Sequence, residues 1–396
     1  MKLLEFKQFN NSEEPKTLNK KKVVISGIVV LIIVIFTVIG MVYVSNQNFR
    51  NFMDTYVLFK TCKENDLASI NIDTEKNIYT YAYYNYVVVL ENNKLTLYNS
   101  SGKVVESFEV NISSPIFASQ DNYLVVAEKD NTKAYLFKDK KMIWQKDVDG
   151  QISRVNINEN GYVSIIVSGT SYKSVITTYA QDGAEVFKTF LSNAVAIDSD
   201  ISRDNKYLSF CEMDLSGTFV QSKVKIISID KAKQDPANSI IYTYEIPANS
   251  LVTNLEYHDR DELICLCDNK VLLLKNGNIE TLAEIDSSVT FTGAKLSKSY
   301  FKVIEDKYGI NNQNSRVEIY NTSSRKVSTY TIKGVAKEVT SKDGVIAVNL
   351  GTEAYFISES GFLKKKYVSN QEIKNIVISN NVAGIIYRNK IEFMGL

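Results

Sequence analysis

The sequence predicts an all-β protein: a β-propeller of four-stranded antiparallel blades behind a single transmembrane α-helix. Three observations predict it: a β-rich unit written eight times, a tight-turn residue set at each recurrence, and one long uncharged apolar run near the N-terminus. The units open at Asn85, Asn122, Gly161, Lys206, Asp261, Tyr300, Gly344 and Asn381, in steps of 37, 39, 45, 55, 39, 44 and 37 residues. A period of roughly 40 residues with about four strands per unit is the signature of a propeller.

The N-terminal elements come first. Residues 1–22 are short and polar, and carry Lys16, Lys20, Lys21 and Lys22 next to the apolar run. From Val23 to Val44 the chain has no charge and no Pro, and at about 1.5 Å per residue it spans a hydrocarbon core of about 30 Å. Only a helix satisfies its backbone there, so residues 23–45 are assigned as the transmembrane helix that contacts the lipid bilayer. A cleaved secretory signal competes, but the run is too long for a typical apolar signal core and lacks a small-x-small site at its end. The basic flank puts residues 1–22 in the cytoplasm and the propeller outside, a single-pass arrangement in the cell membrane. Residues 46–66 read as a juxtamembrane linker. There Phe49, Phe52, Met53, Tyr56 and Phe59 recur at spacings of three and four, which predicts a helix continuing out of the membrane with one apolar stripe.

Residues 67–396 are the propeller domain. Turns such as SQDN, SRDN and SKDG are followed by NYLVVAE, KYLSFCE and GVIAVNL, and the Asp, Asn and Gly at these points suit tight turns before buried strands. A second run follows (KAYLFK, KVKIIS, EAYFIS), then a turn and a third, and a short run ahead of each unit makes four strands. The eighth unit stops at Leu396 after its third strand, while Leu67 to Asp73 is β-like and unassigned. Lending that stretch to the last blade removes an exposed sheet edge, so it is expected as the outer strand of blade eight. Seven blades is the alternative, if the unit at Asp261 or Asn85 fails to form a full sheet.

Composition agrees: 24 Tyr and 18 Phe suit β-rich structure, and 46 basic against 45 acidic residues leave a net charge of +1. No basic stripe interleaved with aromatics points to nucleic acid. His258 stands alone as the chain's one histidine, so a multi-histidine metal site is excluded, and it reads as a solvated turn residue. Cys265 and Cys267 lie two apart in a strand and share a face, with Cys211 of the preceding blade aimed at that face; side chains running parallel rarely bridge, so buried free thiols are expected. Cys62 completes the set of four. Ser-x-Asp turns share the beginning of the sialidase Asp box without its Thr-Trp, and Trp144 is the sole tryptophan, so quinone-type docking is absent. No catalytic residue, cofactor or metal is assigned, and an enzyme is not expected.

One asymmetry stands out. The loops joining second and third strands all emerge on one face, and three are long: 167–174, 213–219 and 305–315. Binding sites collect on loops held by a rigid scaffold, which nominates Tyr172, Lys173, Asp214, Lys307, Tyr308 and Asn311 as a candidate partner-binding rim. The insertion at 230–239 reads as a solvated loop on the opposite face.

The basic flank Lys20 to Lys22, the span Val23 to Val44, the hairpins SRDNKYLSF and SKDGVIAVN and the Lys, Asn, Ile and Tyr bias together resemble a family of uncharacterised single-pass propeller proteins of clostridia, a domain of unknown function. More distantly the chain is similar to quinoprotein-like propellers and to the lipoprotein propeller of the outer-membrane assembly machine, a scaffold, although it has no lipobox cysteine. The resemblance implies a propeller and supplies no catalytic residue. The function expected is a non-enzymatic protein-interaction scaffold in the cell envelope, with envelope proteins as partners; the alternative is an enzyme or a small-ligand or carbohydrate receptor using the central funnel. Three or more acidic side chains converging at the axis would favour the alternative.

Overall fold

The computed structural model describes residues 20–396 apart from 170, 216, 218, 219 and 309–311. The chain divides into two compact units, Met1–Phe59 and Lys60–Leu396.

In the first unit, Lys20–Ser45 forms a helix whose stretch Val24–Ser45 is long and apolar enough to cross a membrane. Its hydroxyls bond back inside the helix, Thr37 Oγ1 to Ile33 O and Ser45 Oγ to Met41 O, which removes two polar groups from an apolar surface. The helix does not simply continue into the linker. Asn46 is extended (φ −117°, ψ 109°) and its side chain caps a new short helix, Gln47–Phe52, by accepting from the Phe49 N–H at 3.0 Å. Tyr43 OH reaches Asp54 Oδ1 at 2.7 Å, whereas eleven residues along a straight helix would separate them by about 16 Å. The chain therefore folds back at Asn46, and the polar contacts of Arg50 with the carbonyls of Tyr43 and Val44 close the corner.

The second unit is a propeller of eight antiparallel blades. The innermost strands are Ile78–Tyr83, Pro115–Gln120, Gln151–Ile157, Ala194–Ile201, Val252–Tyr257, Val289–Gly293, Glu338–Lys342 and Asn375–Ile378. The second strand of each blade is packed on both faces by its neighbours, which is why Tyr123–Glu128 is buried along its whole length and why its sequence is a continuous apolar run instead of an alternating one. The core lies between blades: Val88, Leu90 and Leu95 of blade 1 pack on Leu124, Val126 and Phe137 of blade 2. Each such side chain contributes roughly 1.5–3 kcal/mol by leaving water.

The ring closes as the sequence reading expects. Ala68–Asn71 pairs antiparallel with Lys390–Gly395, in the register Ala68 with Phe393 and Asn71 with Lys390, and completes blade 8. A second contact lies beyond that expectation. Thr61–Lys63, assigned above to the linker, forms a parallel fifth strand on Leu363–Val368 of blade 7. Its type was hard to read because three residues carry no period. Between these strands, Lys390 lies 3.0 Å from Glu64 and 2.6 Å from Glu392, and Tyr367 OH donates to Glu392 Oε2 at 2.5 Å. The strap thus ties two blades at once.

His258 is buried with Nε2 2.7 Å from Ala294 O, packed between blades 5 and 6 instead of solvated in a turn; the charges around it in EYHDRDE belong to the residues that follow. The insertion at 230–239 contains a helical turn, Ile229–Ala232, that buries Ile229 and Ala232. Cys211, Cys265 and Cys267 are all buried in the core cluster between blades 4 and 5, with the Sγ atoms of Cys265 and Cys267 4.0 Å apart on one face, as their parity predicts.

Candidate functional site

The innermost strand of a blade has one edge without a sheet neighbour, and its free N–H groups need acceptors. In blades 3 to 6 this strand carries a bulge, at Ile152/Arg154, Ala196/Asp198, Val252/Asn254 and Val289/Phe291. Ser153, Thr253 and Thr290 sit at three of these bulges and bond back to carbonyls of the second strand. A bulge re-aims the residue after it. Here the consequence is a polar belt: Arg154 Nε donates to Asp198 Oδ1 at 2.9 Å, while Asp198 Oδ2 accepts from Asn254 Nδ2 at 3.1 Å and from the Leu255 N–H at 2.9 Å. Two residues on, Asp200 Oδ2 accepts from the Tyr257 N–H at 2.7 Å. The two aspartates of blade 4 satisfy the free edge of blade 5.

Above this belt the channel opens into a cavity of about 870 Å³, lined by the ends of seven innermost strands, by turns that follow them and, from blade 6, by Lys295, Leu296 and Ser297 just after its strand. Three of those turns are the Ser-x-Asp turns. Asp121 and Asp343 adopt left-handed φ of 48° and 49°, as turn formers do, and the variable residues of the three turns, Gln120, Arg203 and Lys342, all line the cavity. What reads in sequence as hairpin punctuation is also channel wall. The signal that could have found it is topological: every turn from first to second strand must lie on one face, near the axis.

Charges of both signs gather here. Lys342 places its ammonium 4.0 Å from the centre of the Tyr81 ring and bonds Ala82 O and Ser119 Oγ. Burial would raise the Tyr81 hydroxyl, but the ammoniums of Lys342 and Lys295 outweigh it and hold it below the usual phenol range. Burial pushes Glu256 up to about 7, with Lys295 and Arg203 opposing and the charges of Asp198 and Asp343 adding to the rise. Asp200 is raised well above the ordinary carboxylate range by burial and by Glu256, and Asp343 is raised by burial. Lys295 is exposed to water yet surrounded by protein, because it projects into the channel. Its ammonium is held above the ordinary value; burial opposes this, and Glu256, Tyr81 and Asp198 outweigh burial. Among the described residues, no group of three or more His, Cys, Asp and Glu is arranged to hold a metal ion.

The nominated rim lies on the other face, since second-to-third-strand loops and first-to-second-strand turns leave opposite ends of a blade. Tyr172 and Lys173 stand on blade 3, with the Tyr172 ring 4.8 Å from that of Phe190. Asp214 ends the second strand of blade 4. Lys307 and Tyr308 are on blade 6, two blades further round, and are not loop residues: they pair with Gln313 and Asn312 in an extended hairpin. Asn311 lies outside the described residues. The structure gathers Tyr172, Lys173 and Asp214 on neighbouring blades and leaves the others apart.

Fold and site together define an eight-bladed β-propeller with a charged axial channel, on a chain with one apolar N-terminal helix among its described residues. A family model matches residues 55–396, and the chain belongs to that family, a family of unknown function (DUF5711). No curated protein matches it in sequence. Among solved structures it is similar to BamB from Moraxella catarrhalis, with 10% identity, a TM-score of 0.50 and coverage of 83% of this chain and 99% of that one. The C-terminal WD40 domain of Sif2 is similar too, with 11% identity, a TM-score of 0.54 and the same coverages. At such identities these likenesses establish the fold alone.

Proposed function

We propose that this chain is a propeller anchored in the cell membrane by Val24–Ser45, N-terminus in the cytoplasm and propeller outside, and that it works by binding a small polar molecule in its axial channel without catalysis. The observation that carries this reading is the convergence of Asp200, Glu256 and Asp343 with Lys295 and Lys342 on one 870 Å³ cavity. Three acids at the axis are what the sequence reading required before preferring a channel receptor to a protein scaffold. The rim remains the surface that a scaffold would use, and its scatter over blades 3, 4 and 6 weighs against it. Binding without turnover is supported by the use of the acids: Asp198 and Asp200 are engaged by backbone N–H groups of blade 5, which fixes them as structural acceptors. Pockets of this size and polarity suit small ligands.

The test is thermal unfolding of the full chain in nanodiscs against a panel of sugars, amino acids and organic anions, alongside Thr340→Trp, which fills the channel from blade 7. A stabilisation by one class that Thr340→Trp abolishes supports the reading; no stabilisation, or one that survives the plug, rejects it.

A further inference from the structure

Lys295 and Glu256 are oppositely charged neighbours that do not pair. Each feels the other's charge, yet among the described residues neither side chain has a hydrogen bond or an ion pair, although ion pairs are common on this surface. Both line the same cavity. An ammonium and a carboxylate that face one cavity unjoined leave two charges that a ligand with its own two charges would pair.

The wall of the cavity carries both signs. Lys295 and Lys342 both act on Tyr81, so a carboxylate there would meet two ammoniums and a phenol. Lys295 also acts on Glu256 and Asp343, and Asp121 lies close enough to Asp343 to act on it. Thr80, Gln120 and Thr340 line the cavity as well, and among the described residues their side chains make no hydrogen bond within the protein. Those hydroxyls and that amide are suited to a peptide group or a hydroxyl on the ligand. A purely anionic ligand would leave the Glu256 side chain without a partner, and a purely cationic one would do the same to Lys295. A molecule carrying both charges pairs with both.

We infer that the channel binds an amino-carboxylate zwitterion, from a free amino acid to a short peptide with free termini, its carboxylate between Lys295 and Lys342 and its ammonium against Glu256 and Asp343. This rests on the channel reading above and names its ligand class. The cavity has room for a dipeptide and its first hydration waters.

The experiment is calorimetric titration of the full chain in nanodiscs with dialanine, glycine, acetate and methylamine. Dialanine and glycine are expected to bind, with acetate and methylamine at least tenfold weaker. Lys295→Met and Glu256→Gln should each weaken dialanine at least tenfold, while Lys295→Arg keeps most of the affinity; a single cooperative melting transition shows that each variant folds. Because the ammonium needs Glu256 ionised, dialanine should bind more tightly as pH rises through about 7. The inference is overturned if acetate binds as well as dialanine, if both charge-removing variants bind like the parent chain, or if no zwitterion binds. Should sugars or simple anions give a shift that Thr340→Trp abolishes while zwitterions give none, the ligand class fails and the channel reading stands. Should nothing be sensitive to the plug, both fail.

Discussion

Lys390 Nζ lies 3.0 Å from Glu64 Oε1, joining the start of the propeller to the last strand of the chain. Burial would raise Glu64, but hydrogen bonds from Gln371, Lys390, the Asn370 N–H and Ser369 outweigh it and hold its carboxyl at about 2. A carboxyl held below its unfolded value of 4.5 adds stability that is fully present above pH 4.5 and is lost as pH falls toward 2. The closure of the ring is therefore acid-sensitive. Glu64→Gln should lower stability by about 1–2 kcal/mol at pH 7 and by much less at pH 3, a range kept small because the site is near solvent; urea unfolding at the two pH values measures it.

Glu256 has the opposite sign. Its carboxyl is raised to about 7, so the folded chain holds a proton that the unfolded chain has released, and stability falls as pH rises from 4.5 through 7. Lys295 and Arg203 favour the ionised form, and Asp198, Asp200 and Asp343 disfavour it. Glu256→Gln should stabilise the chain by about 1–2 kcal/mol at pH 8 and leave it nearly unchanged at pH 4.5. A variant that is less stable than the parent at pH 8 would contradict this.

Gly361 turns between the third and fourth strands of blade 7 with φ 80°, and a Cβ there would lie 1.8 Å from Ser328 Oγ and 2.3 Å from Ser328 Cβ. Gly361→Ala should cost about 3 kcal/mol or more, roughly 1 from the left-handed backbone and the rest from the clash. Adding Ser328→Gly removes the clash and leaves the backbone term, so the double variant should recover most of the loss in a double-mutant cycle.

His258 donates from Nε2 to Ala294 O, and its Nδ1 has no partner among the described residues. Burial lowers its pKa below 6.5, so stability is lost as pH falls below that value, when the unfolded chain takes up a proton that the folded one resists. His258→Gln should flatten the pH dependence of melting between 6.5 and 5 and cost about 1–2 kcal/mol at pH 8.

The blades and their closure were legible because each depends on local pattern: turn residues, β-rich runs of fixed length, and a leftover stretch at Leu67 to Asp73 where the last unit lacks a strand. The fold-back at Asn46 was not, since Phe49, Phe52 and Met53 keep a helical period through a corner set by one extended residue and by Tyr43 meeting Asp54. Nor was the burial of His258, which depends on Ala294 from the next blade. The channel was legible only as a condition. Asp200, Glu256, Lys295 and Asp343 come from four different blades, and no spacing in the chain records that they meet. The Ser-x-Asp turns were seen as turns, and their second role follows from where a turn of that kind must sit in a ring.

The central claim is a ligand-binding channel on the outer side of a membrane, and thiol labelling in intact cells tests it most directly. Thr340→Cys in a Cys62→Ser background places one accessible thiol in the channel, the three remaining cysteines being buried. We predict that a membrane-impermeant maleimide labels it in intact cells and that dialanine slows the labelling at least tenfold. Labelling only after the cells are permeabilised, or at a rate that no amino-carboxylate changes, would contradict the account.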